Sequence, residues 1–163
     1  MQIKGPGHPL ASQWGISTSP KAMNILLAAD GSVYTKRAVK YLVQHLADFS
    51  KQPKIHVLHV HSPLPYPGVA ANLGKKQVEK YQREECEAVL AMATKELKKG
   101  RLEATTAWSV GDIATQVNAY VKRHDIDLLV MGSHGHGAFA NLVLGSTATK
   151  ILASTKVPVM IVR

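Results

Sequence analysis

The stretch DLLVMGSHGHGAFANLVLGSTAT, residues 127–149, decides the fold class of this chain. It opens with the apolar run LLVM (128–131), which has the length and composition of a strand buried on both faces. Glycines and small polar residues follow directly, and Gly145-Ser146-Thr147 then begins a short helical pattern. In α/β proteins an anion binds where a buried strand runs into glycine-rich backbone and the start of a helix. We therefore expect an anion site here, since glycine has no Cβ and can take positive φ and let a phosphate approach the amides.

Common phosphate-binding and catalytic motifs do not fit this stretch. No Walker loop, G-x4-G-K-[ST], occurs in the chain. Gly135-x-Gly137-x-x-Ala140 formally fits the dinucleotide fingerprint, but no Asp or Glu follows Asp127, so the acid that would bind a ribose is missing. A G-x-S-x-G nucleophile elbow fails as well, because no serine of the stretch has a glycine two residues before it.

The spacing that does fit is G-x2-G-x9-G-S, formed by Gly132, Gly135, Gly145 and Ser146. It resembles the ATP-binding signature of the universal stress protein family. The resemblance continues in the right order over roughly residues 23 to 163, through MNILLAADGS (23–32), HVLHV (56–60), VGDIATQV (110–117), HDIDLLVMGSHG (124–135) and VPVMIVR (157–163).

Strands and helices alternate along the chain, which predicts parallel β-α-β units with right-handed crossovers. The predicted strands are 24–29, 55–60, 102–110, 127–131 and 157–162, and the predicted helices are 33–50, 71–99, 112–121 and 146–153. We expect an α/β Rossmann-like (adenine nucleotide alpha hydrolase-like) three-layer sandwich with a five-stranded parallel sheet over residues 23–163, after a flexible extension at 1–22. The resemblance implies the strand order 3-2-1-4-5, which brings the turns after strands 1 and 4 into one crevice.

Composition describes an ordinary globular chain with a basic surface. It has 163 residues, a net charge of +9 and a pI near 9.7. A basic balance suits polyanions, but the Lys and Arg residues occur only singly or in pairs, and no basic-aromatic interleaving marks a nucleic-acid platform, so nucleic acid is not expected. The single cysteine excludes an internal disulfide, and no apolar stretch reaches a membrane span or forms a signal peptide. We expect a cytoplasmic protein that does not bind a membrane.

The resemblance implies an ATP site at the crevice. Asp30 would contact the ribose, the phosphates or a cation, and the backbone of Val60 would read the adenine edge. The structural alternative for Asp30 is a turn or helix-capping role, and the alternative for Val60 is an ordinary core valine. Ala148 departs from relatives that carry a hydroxyl there, which removes one hydrogen bond worth about 1 kcal/mol. The expected site residues are Ala28, Ala29, Asp30, Val60, Met131, Gly132, His134, Gly135, Gly145, Ser146, Thr147 and Ala148.

The expected cofactor is ATP with Mg²⁺ held mainly by the phosphates, and Asp30 is the one protein group considered as a metal ligand. Two H-x-H pairs, His59/His61 and His134/His136, have no cysteine nearby, so a zinc site is not expected. Hydrolysis needs a base, and only Asp30 and His134 are available near the signature. We therefore expect no catalytic residue, and at most slow turnover.

The last strand, VPVMIVR (157–163), is apolar on both faces and would leave a hydrophobic edge. The resemblance implies a homodimer that pairs through this strand. The resulting hypothesis is an ATP-binding, dimeric stress-response and signalling module with an unknown protein partner. Two alternatives stay open: a protein-interaction dimer of the same fold that binds no nucleotide, which Ala28, Ala29 and Ala148 leave possible, and a weak ATPase.

Overall fold

The computed structural model of the chain describes residues 21–46, 52–63, 74–136 and 143–163. Most of the predicted extension at 1–22 lies outside these residues, as does Gly137. The predicted end of the first helix at residue 50 and the predicted start of the second at residue 71 also lie outside them.

Strands and helices alternate through the described residues. They are β1 (Asn24–Ala28), α1 (Val33–Leu46), β2 (Lys54–His61), α2 (Lys75–Lys99), β3 (Ala104–Val110), α3 (Ile113–Arg123), β4 (Leu128–Gly132), α4 (Ser146–Ser154) and β5 (Val159–Val162). All strand pairs are parallel, in the order β3-β2-β1-β4-β5. The predicted α/β sandwich and its strand order are confirmed.

The sheet separates two hydrophobic clusters, which explains why the central strands do not alternate in polarity. Ile25 and Leu27 of β1 pack with α1 and α2 on one face, and Leu26 packs with α3 and α4 on the other. All three side chains are fully buried. A parallel strand covered by helices on both faces needs apolar residues at successive positions. Of the described helices, none is long and apolar enough to cross a membrane.

The connection between α2 and β3 differs from the prediction. Leu102 was expected to begin the strand, but β3 begins at Ala104, and Leu102 closes the end of α2 instead. The N–H of Leu102 donates to the carbonyl of Leu97, and the N–H of Arg101 donates to that of Lys98, which is a Schellman motif. The residue in the left-handed region is Arg101, with φ of 58°, whereas Gly100 has φ of −85°. Gly100 is needed for another reason, since a Cβ there would collide with the side chain of Val43 on α1.

Substitutions at these two positions should have opposite effects on the free energy of unfolding. Arg101→Gly should raise the free energy of unfolding by about 0.5 kcal/mol, because the relief of left-handed strain exceeds the added entropy of the unfolded chain. Gly100→Ala should lower it by about 1 to 3 kcal/mol through overpacking against Val43. Urea denaturation measures both changes. Stabilisation by Gly100→Ala would contradict the packing that the structure describes.

A polar cluster lies at the amino ends of the strands, away from the carboxyl ends where a ligand is expected. His56 Nδ1 lies 3.1 Å from the hydroxyl of Tyr120, and the Tyr120 ring stacks on His124 with a centroid distance of 4.0 Å. Burial lowers the pKa of His56 below its ordinary value of 6.5, and the nearby His124 and Lys54 lower it further. His56 is therefore held neutral in the folded protein more firmly than in the unfolded chain.

This shift predicts a loss of stability in acid. The unfolded chain binds a proton at His56 more readily than the folded protein, so the free energy of unfolding should fall as the pH drops below 6.5 towards the folded pKa. Urea denaturation between about pH 7.5 and pH 5.5 measures the slope, and His56→Gln should flatten it. The matched control is His45→Gln on α1, which should retain the slope. An unchanged slope in His56→Gln would contradict this assignment.

Candidate functional site

A cavity of about 430 Å³ opens at the carboxyl ends of β1, β2 and β4. The crossover after β1 leaves through α1 on one face of the sheet, and the crossover after β4 leaves through α4 on the other. This divergence is the topological switch point at which ligands bind in open α/β sheets. All twelve residues expected from the sequence line this cavity, together with Ile113, His136 and Ile151.

Asp30 follows β1, and one of its two carboxylate oxygens accepts local hydrogen bonds. Its Oδ1 accepts the N–H of Ser32 at 2.9 Å and the hydroxyl of Thr35 at 2.6 Å. The Asp30 N–H in turn donates to the Thr35 hydroxyl at 3.0 Å. The other oxygen, Oδ2, lies beside Gly135, where a Cβ would approach it to 2.7 Å. The turn role weighed as an alternative is therefore present, and Oδ2 lies on the side of the signature loop.

The signature glycines do not use the positive φ that glycine permits. None of Gly132, Gly135 and Gly145 takes a positive φ, whereas Gly31, directly after Asp30, has φ of 82°. A Cβ would meet other atoms closely at Gly132 and Gly135, but it would make only ordinary contacts at Gly145.

Gly132 marks the closest approach of β4 to α1. A Cβ there would lie 2.5 Å from the Cβ of Tyr34 and 3.0 Å from its carbonyl carbon. Because the obstacle includes backbone, it cannot be moved by a side-chain rotation. The lack of a side chain at Gly132 thus allows α1 to pack against the end of β4, and Gly132 also lines the cavity.

Gly145 joins the start of α4 to the turn after β4. Its N–H donates to the carbonyl of Ser133 at 2.9 Å, and a Cβ would lie 3.4 Å from the same oxygen. This contact brings two parts of the signature together and positions α4 over the cavity.

The amino end of α4 has no side-chain cap. Its N-cap is Gly145, and the first turn closes through Thr149 N–H on the Gly145 carbonyl. Residues 146–148 line the cavity, and their backbone N–H groups come before this first helical hydrogen bond. At α3, by contrast, the Asp112 carboxylate accepts the N–H of Thr115 at 2.9 Å, so that the chain itself supplies the anion. An uncapped helix start at a cavity wall can stabilise an anion through its amides and its dipole.

Two histidines donate to backbone carbonyls at the end of β1. His136 Nε2 lies 2.8 Å from the carbonyl oxygen of Asp30, and the buried His59 Nδ1 lies 2.7 Å from that of Ala29. Since a carbonyl only accepts, each of these ring nitrogens carries a proton. Within the described residues, no group of three or more His, Cys, Asp or Glu could hold a metal ion.

The sequence-based prediction missed three lining residues for different reasons. His136 was noticed only as half of an H-x-H pair. Ile151 lies three residues after Ala148 on the same helix face, so helical spacing carried a signal for it. Ile113 begins the crossover helix after β3 and belongs to no motif.

The described wall of the cavity combines apolar and polar groups. The apolar part comes from the ends of β1, β2 and β4 and from two helices, through Ala28, Val60, Met131, Ile113 and Ile151. The polar part comes from the signature loop, the start of α4 and the Asp30 carboxylate. No Lys or Arg is among the described residues that line this cavity. The arrangement suits a ligand with a flat apolar part and an anionic part.

Fold and cavity define a doubly wound α/β protein with a crevice at its switch point. Residues 21–163 match the universal stress protein family. The chain belongs to this family, which confirms the resemblance found in its sequence.

Relatives of the chain carry the same family name. A universal stress protein of Thermus aquaticus is 33% identical over 147 residues, which cover 85% of this chain and 97% of that protein. A universal stress protein of Synechocystis is 30% identical over 141 residues. The alignment covers 85% of this chain but 42% of the Synechocystis protein, so the chain spans less than half of that relative.

Solved structures share the fold at low sequence identity. UspA from Lactobacillus plantarum has a TM-score of 0.71 and 20% identity, over 88% of this chain and 99% of its own. An Archaeoglobus fulgidus universal stress protein in complex with dAMP has a TM-score of 0.61 and 19% identity, over 86% and 98%. An Arabidopsis thaliana family protein with AMP bound has a TM-score of 0.60 and 19% identity, over 86% and 90%.

Proposed function

We propose that this chain binds ATP in the cavity at the switch point, with Mg²⁺ held mainly by the phosphates, and acts as a dimeric stress-response module in the cytoplasm. One observation carries the proposal. Twelve residues expected from the family resemblance come from separate parts of the chain and line one cavity. The dAMP and AMP complexes of the Archaeoglobus and Arabidopsis proteins support an adenine nucleotide as the ligand class.

In this proposal, each part of the nucleotide contacts different residues of the cavity wall. The adenine packs against the apolar lining residues, where the backbone of Val60 is available for its polar edge. The phosphates lie at the uncapped start of α4, within reach of the hydroxyls of Ser146 and Thr147. Asp30 Oδ2 accepts a ribose hydroxyl or binds Mg²⁺, because its partner oxygen is already engaged by Ser32 and Thr35.

The charge of the described wall supports the proposal that a bound triphosphate carries Mg²⁺. The described wall has no Lys or Arg to offset the phosphate charge, and it includes the Asp30 carboxylate. Calorimetry should therefore find ATP binding weakened by about 10-fold or more when Mg²⁺ is removed, and AMP binding changed by less than about 2-fold. If the binding of ATP and the binding of AMP depend equally on Mg²⁺, the proposal that the phosphates hold this cation is wrong.

The primary test is mass spectrometry of small molecules released by heat from freshly purified protein. ATP or ADP released at about one per chain supports the nucleotide site. A protein that releases no nucleotide, and whose melting temperature does not rise with added Mg-ATP, favours the second candidate, a protein-interaction dimer without nucleotide.

The proposal includes at most slow turnover, because it assigns Asp30, one of the two candidate bases, to ligand binding. Asp30 has one oxygen in two local hydrogen bonds, and its other oxygen serves the ligand. Multiple turnovers of ATP that disappear in Asp30→Ala would establish the weak ATPase instead.

The proposed dimer uses the edge of the sheet. β5 is the outermost strand on its side, and all four of its residues, 159–162, are only half-buried in the single chain. An apolar edge strand offers unpaired backbone groups to a second copy. Sedimentation velocity should find a dimer, and a monomer at micromolar concentrations would contradict this part of the proposal.

A further inference from the structure

A groove with a void of about 840 Å³ runs between α1 and α2 on the outer surface of one helix layer. Four lysines form its walls, Lys36 and Lys40 from α1 and Lys95 and Lys99 from α2. Each pair is spaced four residues apart, so each helix presents both ammonium groups on the face that borders the groove.

The positive charge of this groove is poorly compensated. All four lysines are exposed, and the one described carboxylate that lines the groove, Glu96, is paired with Lys99 at 2.7 Å. Four lysines and one glutamate leave a net charge of 4 − 1 = +3. Like charges four residues apart destabilise a helix. The charge pattern is thus unfavourable for folding, and a binding role accounts for it better than the fold does.

The floor of the groove is apolar. Three apolar residues, Val43, Ala91 and Met92, line the groove together with the lysines. Val43 packs directly over Gly100, and the absence of a side chain there lets α1 approach the end of α2. The same glycine that ends α2 therefore brings the two basic rows together over an apolar strip.

We propose that the α1/α2 groove binds an acidic amphipathic helix of a partner protein. Such a helix places an apolar stripe on the floor and carboxylates beside the lysines on both sides. Nucleic acid or polyphosphate would use the lysines but not the apolar floor, and a flat bilayer surface would not enter a groove between helices.

The chain's own remaining segments do not supply this occupant. Residues 1–20, 64–73 and 137–142 contain no Asp or Glu, and the segment 47–51 contains only Asp48. These segments of the given sequence therefore do not provide an acidic amphipathic helix. This surface is distinct from the nucleotide cavity, and the inference does not depend on the proposed function.

The test uses a fluorescent peptide of about 18 residues, built from Glu, Leu and Ala with leucines at helical spacing. Its control is a peptide of the same composition in scrambled order. Fluorescence anisotropy should find that Lys36→Glu/Lys95→Glu weakens binding of the patterned peptide by about 10-fold or more. The matched control variant, Lys122→Glu/Lys156→Glu, makes the same charge change at exposed lysines outside the groove and should weaken binding by less than about 3-fold.

The groove variant is expected to fold, since each glutamate would stand four residues before a remaining lysine, and circular dichroism checks this. Should it fail to fold, Lys36→Gln/Lys95→Gln provides the same comparison. Equal weakening in both variants, or equal binding of the scrambled peptide, would overturn the proposal. So would binding to phosphatidylserine vesicles without binding to the peptide, which would identify a membrane surface. Self-association that the groove variant abolishes would identify a second copy of the chain as the occupant.

Discussion

Gly132→Ala is expected to lower the free energy of unfolding by about 2 to 3 kcal/mol, although it adds a single methyl group. The added carbon would lie 2.5 Å from the Tyr34 Cβ and 3.0 Å from the Tyr34 carbonyl carbon. Relief requires α1 to move away from the end of β4, which opens the cluster that buries Ile25 and Leu27. Urea denaturation of the variant and the original protein measures the loss.

The matched control for this substitution is Gly145→Ser. A Cβ at residue 145 meets its neighbours at 3.4 Å, which is an ordinary contact, and serine is a favoured N-cap. Gly145→Ser should therefore change the free energy of unfolding by less than about 1 kcal/mol, in either direction. Similar losses in the two variants would mean that the close approach of α1 to Gly132 is not the cause.

Gly135→Ala is expected to weaken nucleotide binding by about 10-fold or more while the fold stays intact. The new Cβ would approach Asp30 Oδ2 to 2.7 Å, and Asp30 cannot turn away freely because Oδ1 is held by Ser32 and Thr35. Either the carboxylate or the signature loop must shift, and both line the cavity. Titration with Mg-ATP, followed by calorimetry, measures the change in Kd.

A double-mutant cycle identifies the source of this effect. In an Asp30→Ala background, Gly135→Ala should weaken binding by less than about 2-fold further, since the oxygen that it meets is gone. If Gly135→Ala weakens binding equally in both backgrounds, its effect comes from the loop conformation, and the contact with Asp30 is not responsible. Thermal denaturation of all four proteins separates either result from a loss of folding.

The two glycine substitutions should therefore have opposite profiles. Gly132→Ala acts on stability, because it displaces α1 from the end of β4. Gly135→Ala acts on binding, and its melting temperature without ligand should stay close to that of the original protein. One signature thus contains a glycine that supports the packing of the sheet and another that shapes the site.

Local patterns in the sequence predicted most of the fold. Short apolar runs such as 24–29 and 128–131 predicted buried parallel strands, because a strand covered on both faces needs apolar residues at consecutive positions. The resemblance supplied the strand order, and the comparison with known proteins confirmed the family. The start of α4 at Ser146 was also predicted, since glycine followed by hydroxyl residues begins a helix within a few residues of chain.

Contacts between distant parts of the chain were beyond the reach of these patterns. Gly132 and Gly135 leave room for Tyr34 of α1 and for Asp30 in the turn after β1, and neither takes a positive φ. Ile113 reaches the cavity from a crossover that no motif marks. The prediction of a strand at Leu102 failed because that residue closes the Schellman motif of α2.

By itself, the sequence determined the α/β class, the alternation of elements, the family and the set of residues to examine, because periodicity and short motifs are properties of neighbouring residues. Only the tertiary structure decided that the predicted residues share one cavity, why its glycines are glycine, and that lysines of two helices border one groove. Those features arise from distances between residues far apart in the chain, and such distances are established only when the helices pack on the sheet.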